Sequence, residues 1–300
     1  MKTLTIAGLA SFFILLFNPT SSVATTGFSL PDSLNEFSIQ YKTVDNLILL
    51  PVKINNNTEV NLILDTGCRN IVLFGKQFLN KLKWLPDQVV EFSGMGSGKN
   101  VKGKLSIENR VAIDKVKGEN VPIVIVPTKN VFRDYIHIDG IIGYDIFLRF
   151  EIELNPAKQL ITFRTSLNNS VPDGYSRIPI SVVDSKPVIH STILMEGQTI
   201  TSDLIIDTGS TLGLLLKSTN KEKFRIYNQE IIGQGLNGVI KGRSTTTNTL
   251  RLPQYELNDV DTGIIHSPWH DYASIGMGIL KEYSIILNYA QSYVCLKKNG

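Results

Sequence analysis

The sequence contains the same three blocks twice and in the same order. The first block is an apolar run that ends in Asp-Thr-Gly, and it places Asp65 in one copy and Asp207 in the other. The second block is rich in glycine and aligns without a gap between residues 94–104 and 233–243. The third pairs residues 142–147 with residues 275–280. Such a duplication predicts two similar halves that pair about an approximate two-fold axis.

Each half is rich in short β-branched runs that are separated by turn residues. Residues 47–54 and 188–194 are such runs, and a turn sequence follows each, so both predict hairpins. Residues 76–84 and 218–226 favour short helices. The polar, turn-forming segment at 168–174 falls between the repeats and is the expected linker. We therefore predict a mostly β fold with pseudo-two-fold internal duplication and two lobes, at residues 25–168 and 169–300.

The duplicated aspartates are the candidate catalytic residues. A strand that ends in Asp-Thr-Gly holds a carboxylate at a tight turn, and the glycine lets another chain approach closely. Equivalent residues near a two-fold axis meet each other, so Asp65 and Asp207 are expected to face one another. Two adjacent carboxylates share a proton, with one acting as a base and the other as an acid. Such a pair activates water for attack on an amide without a metal, a cofactor or a covalent intermediate.

These motifs resemble the retropepsin-like and pepsin-like aspartic proteases, and the resemblance covers nearly the whole chain after its first residues. Asp-Thr-Gly corresponds to the catalytic loop of that family, while Ile141-Ile142-Gly143 and Ser274-Ile275-Gly276 correspond to its supporting strands. The resemblance implies an acid-protease-like, two-lobed β-barrel fold and aspartic endopeptidase activity. It also implies that Thr66 and Thr208 brace the catalytic loops across the axis.

In that family a glycine-rich hairpin closes over the substrate as a flap. The two glycine blocks fit two such flaps, as in a retroviral-type dimer fused into one chain. The resemblance implies substrate-binding roles for residues of the catalytic loops and the flaps, namely Gly67, Gly94, Met95, Gly96, Gly209, Ser210, Gly233, Gln234 and Gly235. One departure is Cys68, which stands where Ser210 stands in the second copy and is a weaker hydrogen-bond donor.

Other motifs have simpler interpretations. A third Asp-Thr-Gly, at Asp261, lacks the preceding apolar run and lies only 15 residues before Gly276, against 78 between Asp65 and Gly143, so it is interpreted as a chance match outside the catalytic pair. The glycine blocks do not open helices, so they are not expected to bind phosphate. Two histidines, His266 and His270, have metal-ligand spacing, but Pro268 separates them and no metal site is predicted.

The N-terminus has the layout of a secretory signal peptide, with Lys2, an apolar stretch and small residues that end at Ala24. We expect cleavage after Ala24, secretion or a periplasmic location, and no stable membrane insertion afterwards. Only Cys68 and Cys295 are present, too few for a disulfide scaffold, although one bridge or two buried thiols are both compatible with the sequence. The net charge is only +3, and the sequence has no run of basic residues that would attract nucleic acid.

The expected partner is a peptide or protein substrate, and the expected state is a monomer. Two rival functions remain open at this point. One is a catalytically silent, two-lobed protein of the same fold that binds peptide or serves a structural role, because a fold does not establish activity. The other is a processing peptidase with one dedicated protein substrate.

Overall fold

The computed structural model describes residues 27–92, 94–127, 138–165, 170–220, 222, 224, 226–266 and 273–300. The predicted signal peptide, its cleavage position and His270 lie outside these residues. None of the helices in the described ranges is long and apolar enough to span a membrane.

The first half of the chain is built almost entirely from strands. They are β1 (Gly27–Ser29), β2 (Glu36–Gln40), β3 (Lys42–Val44), β4 (Leu47–Ile54), β5 (Thr58–Leu64), β6 (Ile71–Phe74), β7 (Val89–Phe92), β8 (Val101–Ile113), β9 (Val116–Val126), β10 (Gly140–Ile142), β11 (Phe150–Asn155) and β12 (Leu160–Thr165). A 3-10 helix, Lys76–Asn80, follows β6, and a short helix, α1 (Tyr144–Arg149), follows β10.

The second half repeats this plan. Its strands are β13 (Ser176–Pro179), β14 (Ser181–Val183), β15 (Lys186–Met195), β16 (Gln198–Asp207), β17 (Leu214–Ser218), β18 (Glu230–Gly235), β19 (Gly238–Leu252), β20 (Tyr255–His266), β21 (Ala273–Gly276), β22 (Tyr283–Asn288) and β23 (Tyr293–Lys298). Helix α2 (Met277–Leu280) follows β21, as α1 follows β10. The predicted hairpins β4–β5 and β15–β16 are both present.

Each half forms one barrel. In the first, β9, β6, β10, β5, β4 and β8 pair in that order, and β8 pairs with β9 again, which closes the ring. In the second, β20, β17, β21, β16, β15 and β19 form the same ring, and β19 pairs with β20. The predicted mostly β fold with two duplicated lobes is therefore confirmed. Alternating residues such as Ile48, Leu50 and Leu62 fill the barrels and are completely buried.

A six-stranded sheet joins the halves. Its order is β13-β23-β22-β11-β12-β2, so three strands come from each half of the chain. The two halves meet where β11 pairs antiparallel with β22, with Leu154 opposite Ile285. The predicted boundary after residue 168 lies outside the described residues, between β12 and β13. This shared sheet sets the two barrels side by side, with β5 and β16 near the pseudo-two-fold axis.

The two helix predictions fail over most of their length. Within residues 76–84 the helix is only the 3-10 turn Lys76–Asn80. In residues 218–226, Ser218 ends a strand and the other described residues form turns, a bend or irregular backbone. The physical reason is visible in the second segment, where Phe224 and Ile226 are both buried. Side chains that are two residues apart lie on different faces of a helix, so one helix face could not bury both.

Candidate active site

Both Asp-Thr-Gly sequences lie at the ends of matching strands. Asp65 follows β5, and its N–H donates to the carbonyl of Ile142 at 2.8 Å. Asp207 is the last residue of β16 and pairs with Gly276 on β21. Both pairings are parallel, β5 with β10 and β16 with β21. The two elements that the sequence analysis assigned as supporting strands therefore hold the two aspartates from equivalent sides.

The threonines of the two loops are hydrogen-bonded to each other's backbone. The N–H of Thr66 donates to Oγ1 of Thr208 at 3.1 Å, and the N–H of Thr208 donates to Oγ1 of Thr66 at 2.9 Å. Each hydroxyl then donates across the axis, Thr66 to the carbonyl of Ile206 at 2.6 Å and Thr208 to that of Leu64 at 2.8 Å. Both threonines are completely buried. These four bonds fix the two loops relative to each other.

The two carboxyl groups meet above these threonines. The N–H of Gly67 donates to Oδ1 of Asp65 at 2.7 Å, and the N–H of Gly209 donates to Oδ1 of Asp207 at 3.0 Å. The two carboxyl groups lie close together, since a Cβ on Gly67 would lie 3.0 Å from Oδ1 of Asp65 and 3.1 Å from Oδ1 of Asp207. Two carboxyl groups this close share a proton. The approach is so close that a Cβ on Gly209 would overlap Cγ of Asp65. Glycine is therefore required at this position by the carboxyl group of the opposite lobe.

The two aspartates have higher pKa values than exposed carboxyl groups, and burial is the main cause. It strongly raises the pKa of Asp65, and the negative charge of Asp207 raises it further. Burial also raises the pKa of Asp207, but the N–H of Gly209 and the charges of Lys217 and Lys186 oppose that shift. Gly67 and Lys186 act on Asp65 in the same sense, and Lys217 is a further charge that stabilises ionised Asp207. This favours the shared proton on Asp65 and the negative charge on Asp207.

A cavity of about 790 Å³ opens above the pair. Its volume lies within the usual range of ligand sites, about 300 to 1,000 Å³. All nine residues for which the sequence analysis expected substrate contact line it, namely Gly67, Gly94, Met95, Gly96, Gly209, Ser210, Gly233, Gln234 and Gly235. The structure therefore brings these residues and both aspartates together in one space.

The two glycine-rich blocks form hairpins that cover this cavity and contact each other. The first, residues 94–98, connects β7 to β8, and the second turns between β18 and β19. The N–H of Gly96 donates to Oδ1 of Asn237 at 2.6 Å, and Nδ2 of Asn237 donates to the carbonyl of Gly98 at 3.0 Å. The tip of the second hairpin is therefore at Leu236-Asn237, while Gln234 lies within β18.

The cysteines and the third Asp-Thr-Gly have no direct part in this arrangement. Cys68 and Cys295 are free thiols. The thiol of Cys68 donates to the carbonyl of Asn70 at 3.2 Å, and Oγ of Ser210 accepts from the N–H of Leu212, so these bonds run within the loops and do not reach the aspartates. We expected Cys68 to be a weaker donor to Asp65 than Ser210 is to Asp207, but neither of these bonds involves an aspartate. Asp261 is an exposed residue within β20.

Sequence reasoning missed several polar residues of the site, and three of them bear on its chemistry. They are Asn237 at the hairpin tip and two lysines on the wall of the cavity, Lys186 and Lys217. The Asn-Gly dipeptide at 237–238 was a usable turn signal. The lysines gave no such signal, because their position beside the aspartates depends on the register of β15 and β17.

The family model of aspartyl proteases matches residues 50–146 of the chain. This region contains Asp65, the first glycine-rich hairpin and the supporting Gly143. The match supports an aspartic protease family for this protein. The comparison with curated proteins found no match.

Proposed function

We propose that this protein is an aspartic endopeptidase in which Asp65 and Asp207 activate water between them. The observation that carries the proposal is the close approach of the two carboxyl groups, one from each Asp-Thr-Gly loop, at the base of a covered cavity. A pair of this kind supplies a base and an acid at the same time.

The difference between the two aspartates suggests which role each one takes first. Ionised Asp207 accepts a proton from water as the water oxygen attacks the carbonyl carbon of a peptide bond. Protonated Asp65 donates its proton to the carbonyl oxygen, so a neutral tetrahedral diol forms. In the second step Asp207 returns its proton to the amide nitrogen, the carbon–nitrogen bond breaks, and Asp65 regains a proton from the diol. The pair then returns to its starting state.

The surrounding residues would hold the reaction in place. The four threonine hydrogen bonds keep the two loops at a fixed separation. The two hairpins would exclude water from the cavity once the substrate is bound. Their mutual contact through Asn237 must open for a polypeptide to enter, because it closes the space above the pair.

The central test is the cleavage of a mixed peptide library by purified protein and by variants of the pair. Asp65→Asn and Asp207→Asn should each abolish cleavage, and the double variant should be no worse than either single variant, because residues that act as a unit are not additive. Asp261→Asn is the matched control, since it alters the same tripeptide away from the cavity, and it should keep full activity.

Folding of each variant is checked by its thermal transition. Substantial cleavage by a folded Asp65→Asn or Asp207→Asn protein would contradict the proposed mechanism. If the unmodified protein cleaves no library peptide, capture of partners on the Asp65→Asn protein separates the rival functions. A captured protein that the unmodified chain then cleaves indicates a dedicated processing peptidase, and one that stays intact indicates a binding protein.

A further inference from the structure

Two lysines lie on one wall of the cavity, close to the aspartate pair. Lys186 begins β15, where Val188 pairs with Ile205, and continuation of that register sets Lys186 beside Asp207. Lys217 lies on β17, two residues after Leu215, which pairs with Ser274. Both lysines line the cavity and are partly buried. Their positive charges act on Asp207, and Lys186 also acts on Lys217.

The first half of the chain has apolar residues at the equivalent positions. The register of β4 and β5, in which Leu49 pairs with Ile63, sets Leu47 beside Asp65 as Lys186 is set beside Asp207. On β6, Val72 pairs with Ile141, as Leu215 on β17 pairs with Ser274. Two residues further along each strand, Phe74 therefore corresponds to Lys217. Because the same barrel forms with leucine and phenylalanine at these positions, the fold does not require lysines there. Their presence on one side only makes the cavity electrostatically asymmetric.

The charges that line the cavity do not balance. Its acidic residues in the described part of the chain are Asp65 and Asp207, which share a proton and so carry one negative charge. The two lysines carry two positive charges when both are protonated, and burial lowers the pKa of Lys217. Within the described residues, neither lysine has a carboxylate within salt-bridge distance. A partly buried ammonium group without a close counter-ion is costly, and an anionic group of a ligand would relieve that cost.

We propose that Lys186 and Lys217 bind a carboxylate of the substrate, so that the enzyme prefers peptides with an acidic side chain close to the cleaved bond. This inference rests on the proposed peptidase function. It deepens that function by assigning a substrate class. The carboxylate would occupy the second-lobe side of the cavity, where the two positive charges converge. An amide of the same shape would lack the charge and would bind more weakly.

The test uses pairs of peptides, acetylated at the N-terminus and amidated at the C-terminus, that differ only by Glu or Gln at one position near the cleaved bond. At one position or more, kcat/KM should be higher for Glu by about tenfold to a hundredfold, the range expected of a charged hydrogen bond. Lys186→Leu, which copies Leu47, and Lys217→Met should each lower this Glu/Gln ratio toward one. Lys158→Met, which alters an exposed turn lysine, should leave the ratio unchanged. Equal rates for Glu and Gln at every position, or a ratio that neither cavity variant lowers, would overturn the proposal.

Two further arms keep this test separate from that of the peptidase function. Binding of the same peptide pairs to the Asp65→Asn protein measures the preference without catalysis, so the carboxylate site is tested even if no peptide is cleaved. Peptides with a free C-terminus identify the source of the carboxylate. A lysine-dependent preference for internal Glu supports the acidic side chain. A preference for a free C-terminus alone supports the carboxylate site but overturns the side-chain assignment.

Discussion

The N–H of Gly96 on one hairpin donates to the side-chain oxygen of Asn237 on the other at 2.6 Å. The same amide side chain donates to the carbonyl of Gly98 at 3.0 Å, and the N–H of Ser97 donates to the carbonyl of Val239 at 2.9 Å. Residues from the two halves of the chain thus form one cover above the aspartate pair. The cover is held by a few hydrogen bonds and not by a barrel, so it can open while the lobes stay folded.

Opening of this cover is tested by Gly96→Ala. A Cβ at residue 96 would overlap the carbonyl oxygen of Gly238, so the two hairpins must separate. We expect kcat/KM to fall about tenfold or more because closure is impaired, with little change in Tm. Gly233→Ala is the comparison variant. It adds the same methyl group to the cover, but the Cβ would meet only Cδ1 of Ile240, at 3.7 Å, so its kcat/KM should fall less than that of Gly96→Ala. Asn237→Ala should speed hydrogen exchange at the Gly96 amide. Full activity of Gly96→Ala would contradict a covering role.

The buried aspartate pair should destabilise the protein as the pH rises. A carboxyl group with a raised pKa binds its proton more tightly in the folded state, so stability falls between its ordinary pKa and its raised one. Since burial and Asp207 raise the pKa of Asp65, Asp65→Asn should remove most of this dependence. The free energy of unfolding of Asp65→Asn should equal that of the unmodified protein at about pH 3. Above pH 4 it should exceed that of the unmodified protein by an amount that grows by up to about 1.4 kcal/mol per pH unit.

Urea denaturation over this pH range provides the measurement. Asp261→Asn is the control, and its free energy of unfolding should follow that of the unmodified protein at every pH because Asp261 is exposed. Parallel curves for Asp65→Asn and the unmodified protein would contradict the raised pKa.

The duplicated sequence predicted most of the fold and the centre of the site. Because equivalent residues of paired halves meet near the axis, the repeat alone was sufficient to bring Asp65 and Asp207 together. The preceding apolar run also distinguished these aspartates from Asp261, which the structure finds as an exposed residue within β20. These inferences succeeded because each depends on local sequence and on symmetry.

Features that depend on how the halves approach each other could not be predicted in this way. The contact of Asn237 with Gly96 depends on the distance between two hairpins that are far apart in the sequence. The position of Lys186 depends on β15 beginning before Val188, where the sequence run appeared to start. The helix expected at 218–226 failed because tertiary burial of Phe224 and Ile226 outweighed a weak local preference.

A buried carboxylate links the halves within the six-stranded sheet. Glu151 on β11 is only 2% exposed, and its Oε2 accepts hydrogen bonds from the hydroxyl of Tyr293 and from Nδ2 of Asn288, both in the second half. Tyr293→Phe removes one donor from this buried group and should lower the free energy of unfolding by about 1 to 3 kcal/mol. Tyr175→Phe is the control, because its hydroxyl bonds the more exposed Glu153. If urea denaturation shows that Tyr293→Phe and Tyr175→Phe lower the free energy of unfolding equally, the burial of Glu151 adds no extra cost.

The hydroxyl of Thr66 should be needed both for stability and for the geometry of the aspartate pair. Thr66→Val keeps the shape but leaves the N–H of Thr208 and the carbonyl of Ile206 without their partner. We expect the free energy of unfolding to fall by about 2 to 6 kcal/mol, since each of the two unsatisfied buried groups costs about 1 to 3 kcal/mol. The cleavage rate of the protein that remains folded should also fall, because the two loops lose their fixed separation. Thr66→Ser retains the hydroxyl and should recover most of both properties.

The third Asp-Thr-Gly offers a matched control for this effect. Thr262 is also buried, and its hydroxyl bonds Oγ1 of Thr247 and the carbonyl of Val260, both within the second barrel. Thr262→Val should therefore lower the free energy of unfolding by a comparable amount but leave kcat/KM of the folded protein unchanged. Urea denaturation and cleavage assays below the transition separate the two effects. If both valine variants lose stability and keep full activity, the hydrogen bonds between the loops stabilise the fold without positioning the aspartates.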